Sequence, residues 1–93
     1  MPYIKQGQRR WVDGPLSALY LAIDGNFPEE DVSGVLNYVV TRLVDKLTLP
    51  GYRRYALVIG VLETVKLEYY RRCVAGYEDK KRMEHGDVYA LPT

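Results

Sequence analysis

The stretch "DVSGVLNYVVTRLVDKL" constrains the fold of this chain more than any other. Val32, Val35, Leu36, Val39, Val40, Leu43, Val44 and Leu47 recur at the i, i+3, i+4, i+7 spacing of one apolar stripe. The valines lower intrinsic helix propensity, but the period is too regular for a strand. Pro28, followed by Glu29, Glu30 and Asp31, suits a helix N-terminus and its partial positive charge. The pattern therefore predicts a helix from about Glu29 to Leu47. Leu49-Pro50-Gly51 then breaks the chain, and so short a link allows only an antiparallel neighbour.

That neighbour is a helix expected from about Tyr52 to Tyr77. On a wheel of about 100° per residue, Arg53, Thr64, Glu68, Arg71 and Ala75 gather on one side. Tyr55, Ile59, Leu62, Tyr69, Tyr70, Cys73, Val74 and Tyr77 take the other, an arc of roughly 200°, about twice what one neighbour covers. Such a helix is central in the monomer or shared with another chain. Sharing is the expectation, because a hairpin and one short helix offer little to surround it. The short helix is read in "VDGPLSALYLAIDGN", with Asp13 as N-cap, Pro15 in the first turn and Gly25-Asn26 as the stop. The fold class is thus all-α: a long antiparallel two-helix hairpin, a short N-terminal helix and a C-terminal tail, expected to be oligomeric.

Length supports one domain over residues 1–93, since 93 residues rarely divide. A chain of this size buries roughly 60–65% of its unfolded surface, so a partner or a second copy would add needed stability. Residues 78–93 read as a charge-rich extension, "EDKKRMEHG", and an apolar-tipped tail whose Val88, Tyr89 and Leu91 are candidates for docking. A formal net charge of +1 exerts no global pull on nucleic acid or anionic membrane. No run of residues approaches the roughly 18 apolar residues of a membrane span, and the N-terminus lacks the apolar core of a signal peptide. Cys73 is the sole cysteine, so no internal disulfide forms and a reducing, cytoplasmic setting is expected.

Catalytic patterns are missing. His85 stands alone, a poor zinc ligand without Cys or a second His, so no metal and no cofactor are expected. Cys73 has no base in its neighbourhood and reads as a buried, inert thiol. Glu63 is followed at i+3 by Lys66 and Glu68 by Arg71, which breaks the E-x-x-E spacing that magnesium-dependent hydrolysis would need.

What the chain does offer is tyrosine and arginine. Nine tyrosines stand against one phenylalanine and one tryptophan, and tyrosine favours half-wet places such as interfaces and pockets. Arg53 and Arg54 lie between Tyr52 and Tyr55, Arg71 and Arg72 follow Tyr69 and Tyr70, and Arg9 and Arg10 precede Trp11. Guanidinium groups fork onto phosphate oxygens and aromatic faces stack on bases. The alternative is that these arginines make surface ion pairs with Glu68, Glu78 and Asp79. No basic face or helix–turn–helix shape favours specific duplex DNA.

Glu63 and Lys66 project into the apolar arc, where buried charge costs several kcal/mol unless paired. They either satisfy each other as i, i+3 neighbours, with the lysine stem snorkelling to an edge, or line a polar pocket. The candidate ligand-binding set is Tyr38, Arg42, Glu63, Lys66, Tyr70, Arg71 and Arg72.

"LNYVVTRL", "GVLETVKLEYYRR", "YEDKK" and "HGDVY" resemble a small uncharacterised family of bacteriophage and bacterial genomes. The resemblance covers about residues 2–4 and 36–89 and is carried by Asn37, Tyr38, Thr41, Gly60, Glu63, Lys66, Glu68, Tyr70, Arg71, Arg72, Tyr77, Glu78, Asp79, Gly86, Asp87 and Tyr89. It implies architecture and a phage context but no chemistry. In architecture alone the chain is also similar to phage sponge proteins that sequester signalling nucleotides between helical subunits. The expected function is a non-catalytic homo-oligomer that binds a phosphate-bearing small ligand, such as a signalling nucleotide, in phage anti-defence. The alternative is a protein-interaction module, an inhibitor or adaptor of a host protein.

Overall fold

The computed structural model describes residues 3–90. Among them 84% are helical and none is in a strand, which agrees with the all-α expectation. Helix α1 spans Gln6–Asn26, a 3₁₀ turn spans Glu29–Asp31, α2 spans Val32–Leu47 and α3 spans Tyr52–Tyr69. A π-helical turn over Tyr70–Val74 joins α3 to α4, Ala75–His85.

The first helix is longer than its caps suggested. It starts at Gln6, and Pro15 lies inside it, so Asp13 is no N-cap. The start is held instead by Gln8, whose Oε1 accepts the Lys5 backbone N–H at 3.2 Å while its own N–H donates to the Lys5 carbonyl at 2.9 Å. This is the reciprocal half of a capping box, with lysine where the usual acceptor side chain would stand. Pro15 tolerates the helix because its φ is helical; its cost is the missing N–H that would have served the Trp11 carbonyl. At the far end the Asn26 amide donates to the Ala22 carbonyl at 2.6 Å and Phe27 N–H to Ile23 at 3.1 Å, so the expected stop is real.

Helix α2 forms where its stripe places it, preceded by the 3₁₀ turn that carries all three acidic residues. The following link turns at Gly51, whose φ of +144° suits a residue without a side chain. Arg54 Nη1 donates to the Pro50 carbonyl at 2.9 Å and fastens the link to the first turn of α3.

The largest departure from the expected pattern lies near the C-terminus. Helical structure runs past Tyr77 to His85, so "EDKKRMEH" is a solvated helix end, and Gly86 (φ +87°) stops it with its N–H on the Arg82 carbonyl at 2.8 Å. Lys81–Glu84 and Arg82–Asp79 pairs at i, i+3 support that helix. Within it, the π turn closes with Ala75 N–H donating to the Tyr70 carbonyl, five residues back. One extra residue in a turn rotates everything beyond it by roughly 100°, so a single wheel cannot be carried from α3 into α4. Cys73, Val74 and Tyr77 therefore leave the arc they were assigned to.

The described residues divide into two compact units, 3–58 and 59–90, with the boundary inside α3 rather than in a loop. In the first unit Leu19 and Ile23 of α1 and Val35, Val39 and Val44 of α2 are half-buried. Among the described residues of the second, Glu68, Val74, Ala75 and Lys81 are half-buried. No described residue is fully buried.

Candidate functional site

The seven candidate residues fall on three places. Tyr38 and Arg42 stand one helical turn apart on α2, both exposed, as i, i+4 neighbours do. Glu63 and Lys66 share a face of α3. Tyr70, Arg71 and Arg72 open the π turn.

Glu63 and Lys66 do pair, Nζ to Oε1 at 3.3 Å, but the expected burial is not found in this chain. The side chains are 53% and 72% exposed. Their apolar neighbours Leu62, Val65 and Tyr69 are exposed as well. An exposed pair of this spacing contributes about 0.2–0.5 kcal/mol.

The π turn brings two arginines onto one carboxylate. Arg71 holds the Glu68 carboxylate with both arms of its fork, Nη2 to Oε1 at 2.6 Å and Nε to Oε2 at 3.3 Å. Arg72 Nε donates to the same Oε1 at 2.8 Å. Glu68 is reached from i+3 and i+4 at once because the sequence E-x-x-R-R places both arginines one turn beyond it. The hydrogen bonds from Arg71 and then Arg72 hold the Glu68 carboxyl below its ordinary pKa. Surface pairing with Glu68, one of the two readings open to these arginines, is thus what the chain adopts. Glu68 itself was outside the candidate set, although the spacing pointed to it. The π turn has no sequence signature at all.

Cys73, expected to be buried, is exposed in the same turn. Among the described residues no three His, Cys, Asp or Glu side chains are grouped to hold a metal ion, and no helix is long and apolar enough to cross a membrane. Val88 and Tyr89 of the tail are exposed, with Tyr89 N–H turned back onto Asp87 Oδ1 at 2.9 Å; Leu91 lies outside the described residues. Open grooves occur elsewhere. One of about 460 Å³ is lined by Tyr20, Leu21, Ile23, Asp24, Val32 and Leu36 of α1 and α2. None of the seven candidates lines it.

A family model described as "Domain of unknown function (DUF6899)" matches residues 1–88. No curated protein and no solved structure is significantly similar to the chain.

Proposed function

We propose, for a chain that belongs to this family of unknown function, the role of a non-catalytic protein-interaction module that works as a homo-oligomer. In this reading α2 and α3 form an antiparallel hairpin, and its tyrosine-rich, apolar surface is what partners bind. One observation carries it: large apolar side chains stand exposed on every long helix, from Trp11 and Leu21 through Leu36 and Leu47 to Ile59 and Tyr69. Apolar surface of that extent is characteristic of a protein-binding face, and tyrosine is the aromatic residue best suited to it. An inhibitor or adaptor of a host protein is the form that the implied phage context would give such a module.

A second reading, binding of a phosphate-bearing small ligand, is favoured by the π turn. Two guanidinium groups already converge there on one oxyanion, the Glu68 carboxylate, and phosphate offers the same acceptor geometry. The experiment that separates the readings combines light scattering with a nucleotide panel. A mass above 10.7 kDa with no thermal response to nucleotides supports the interaction module. Stabilisation, with intact ligand released on denaturation, supports the second reading. A folded 10.7 kDa monomer overturns the homo-oligomer, and a converted ligand overturns the non-catalytic role.

A further inference from the structure

Charge is unevenly spread along this chain. Residues 11–41 hold five acids, Asp13, Asp24, Glu29, Glu30 and Asp31, and no lysine, arginine or histidine. All 13 lysines and arginines lie outside that stretch, with the other seven acids. A net charge of +1 therefore hides a segment at −5. The groove of about 460 Å³ between α1 and α2 is lined from within this segment, by residues of a single compact unit. Its apolar walls are open: Tyr20 is 60% exposed, Leu21 62%, Val32 40% and Leu36 57%.

Asp24 is the charged residue among those lining it. It stands in the last turn of α1, where the helix end is partly negative and a base would be favoured. That turn has none. Glu29, Glu30 and Asp31 are accounted for by the N-terminus of α2. Asp24 is not, and among the described residues it takes part in no ion pair. A local rule broken without compensation marks the places where function outweighs stability. An apolar groove with negative charge at its edge fits a helix that is apolar on one face and basic on its flanks. Such a helix buries its apolar side chains in the groove, and its lysine or arginine supplies the cation that the end of α1 lacks. The chain's own residues 59–90 offer no net charge for this, with six lysines and arginines against six acids.

We propose that the α1–α2 groove binds a basic amphipathic helix of a partner protein, with a lysine or arginine against Asp24. The proposal rests on the interaction module of the reading above and names the chemistry of its partner. The probes are two fluorescent peptides of about 18 residues with leucines at helical spacing, one otherwise rich in lysine and the other in glutamate. By anisotropy the lysine peptide should bind about tenfold more tightly or better, a preference that shrinks as salt is added. Asp24→Asn, Leu21→Ser and Leu36→Ser should each weaken its binding about threefold or more. Asp45→Asn and Leu57→Ser, in the same unit but away from the groove, should leave it unchanged. All five side chains are exposed, so no core contact is lost in any variant. Equal binding of the two peptides, or binding indifferent to Asp24 and both leucines, overturns the proposal. Absence of binding overturns it too, and light scattering on the same sample then shows how far the failure extends. A mass above 10.7 kDa leaves the homo-oligomer standing, with a second copy the remaining candidate for the groove. A folded 10.7 kDa monomer overturns that reading as well.

Discussion

Arg71 grips Glu68 with both arms of its guanidinium, and Arg72 reaches the same carboxylate oxygen from the next position. One acid thus ties down two bases at the entry to the π turn. Because these hydrogen bonds lower the Glu68 pKa, their contribution is fully present above the ordinary carboxylate range and is lost as pH falls through the lowered value. Helicity followed by circular dichroism should decline on acidification through that window, and Glu68→Gln should remove this part of the pH dependence. An identical acid profile in the variant would mean that the pairs contribute nothing.

The same carboxylate competes with any anion. If the π turn binds phosphate, Arg71→Ala and Arg72→Ala should each weaken binding by about 1.5–3 kcal/mol, roughly 10- to 150-fold, with the melting temperature little changed. Glu68→Gln should tighten it, since the two guanidinium groups would lose their resident charge. Titration calorimetry with inorganic phosphate and a nucleotide panel reads all three. Affinities equal to the parent's would remove the phosphate reading.

Pro15 interrupts α1 without ending it. Pro15→Ala restores a donor to the Trp11 carbonyl and relieves the ring's clash with the preceding turn, a gain of up to about 3 kcal/mol. Chemical denaturation should show a higher midpoint. A lower one would show that the interruption is needed by a packing arrangement in the assembled protein.

Two glycines of the C-terminal helix should respond in opposite directions. Gly86 sits at φ +87°, ψ 157°, a region open essentially to glycine alone, so Gly86→Ala should cost about 1–3 kcal/mol and fray the last turn. Gly76 lies inside α4 with nothing within 4 Å of an added methyl, so Gly76→Ala should stabilise by about 0.5–1 kcal/mol. Hydrogen exchange at Arg82–Gly86 resolves both effects.

Glu63 and Lys66 would distinguish a single chain from the proposed homo-oligomer. With the pair at the surface, Glu63→Ala should cost no more than about 0.5 kcal/mol. If a second copy covers this face of α3, the stranded lysine should cost several kcal/mol. The variant should therefore fall progressively behind the parent as protein concentration rises in thermal unfolding. A constant gap would leave the pair outside the interface.

The sequence by itself determined the helices wherever a local signal specified them. The stripe from Val32 to Leu47, the acidic turn at Glu29–Asp31, the break at Pro50-Gly51 and the stop at Asn26 all follow from side-chain periodicity, capping and backbone freedom, which act within one or two turns. It also placed Glu63 against Lys66 and both arginines within reach of Glu68, because i+3 and i+4 spacing alone creates those pairs. Only the three-dimensional structure decided the rest. The start of α1 at Gln6 depends on a backbone-to-side-chain bond that a lysine-led capping box hides. The five-residue hydrogen bond from Ala75 to Tyr70 turns the later faces away from the projected arc, and no residue type announces it. The exposure of Cys73, Lys66 and the apolar side chains of α3 depends on what packs against them, a non-local quantity that a helical wheel assumes and cannot supply.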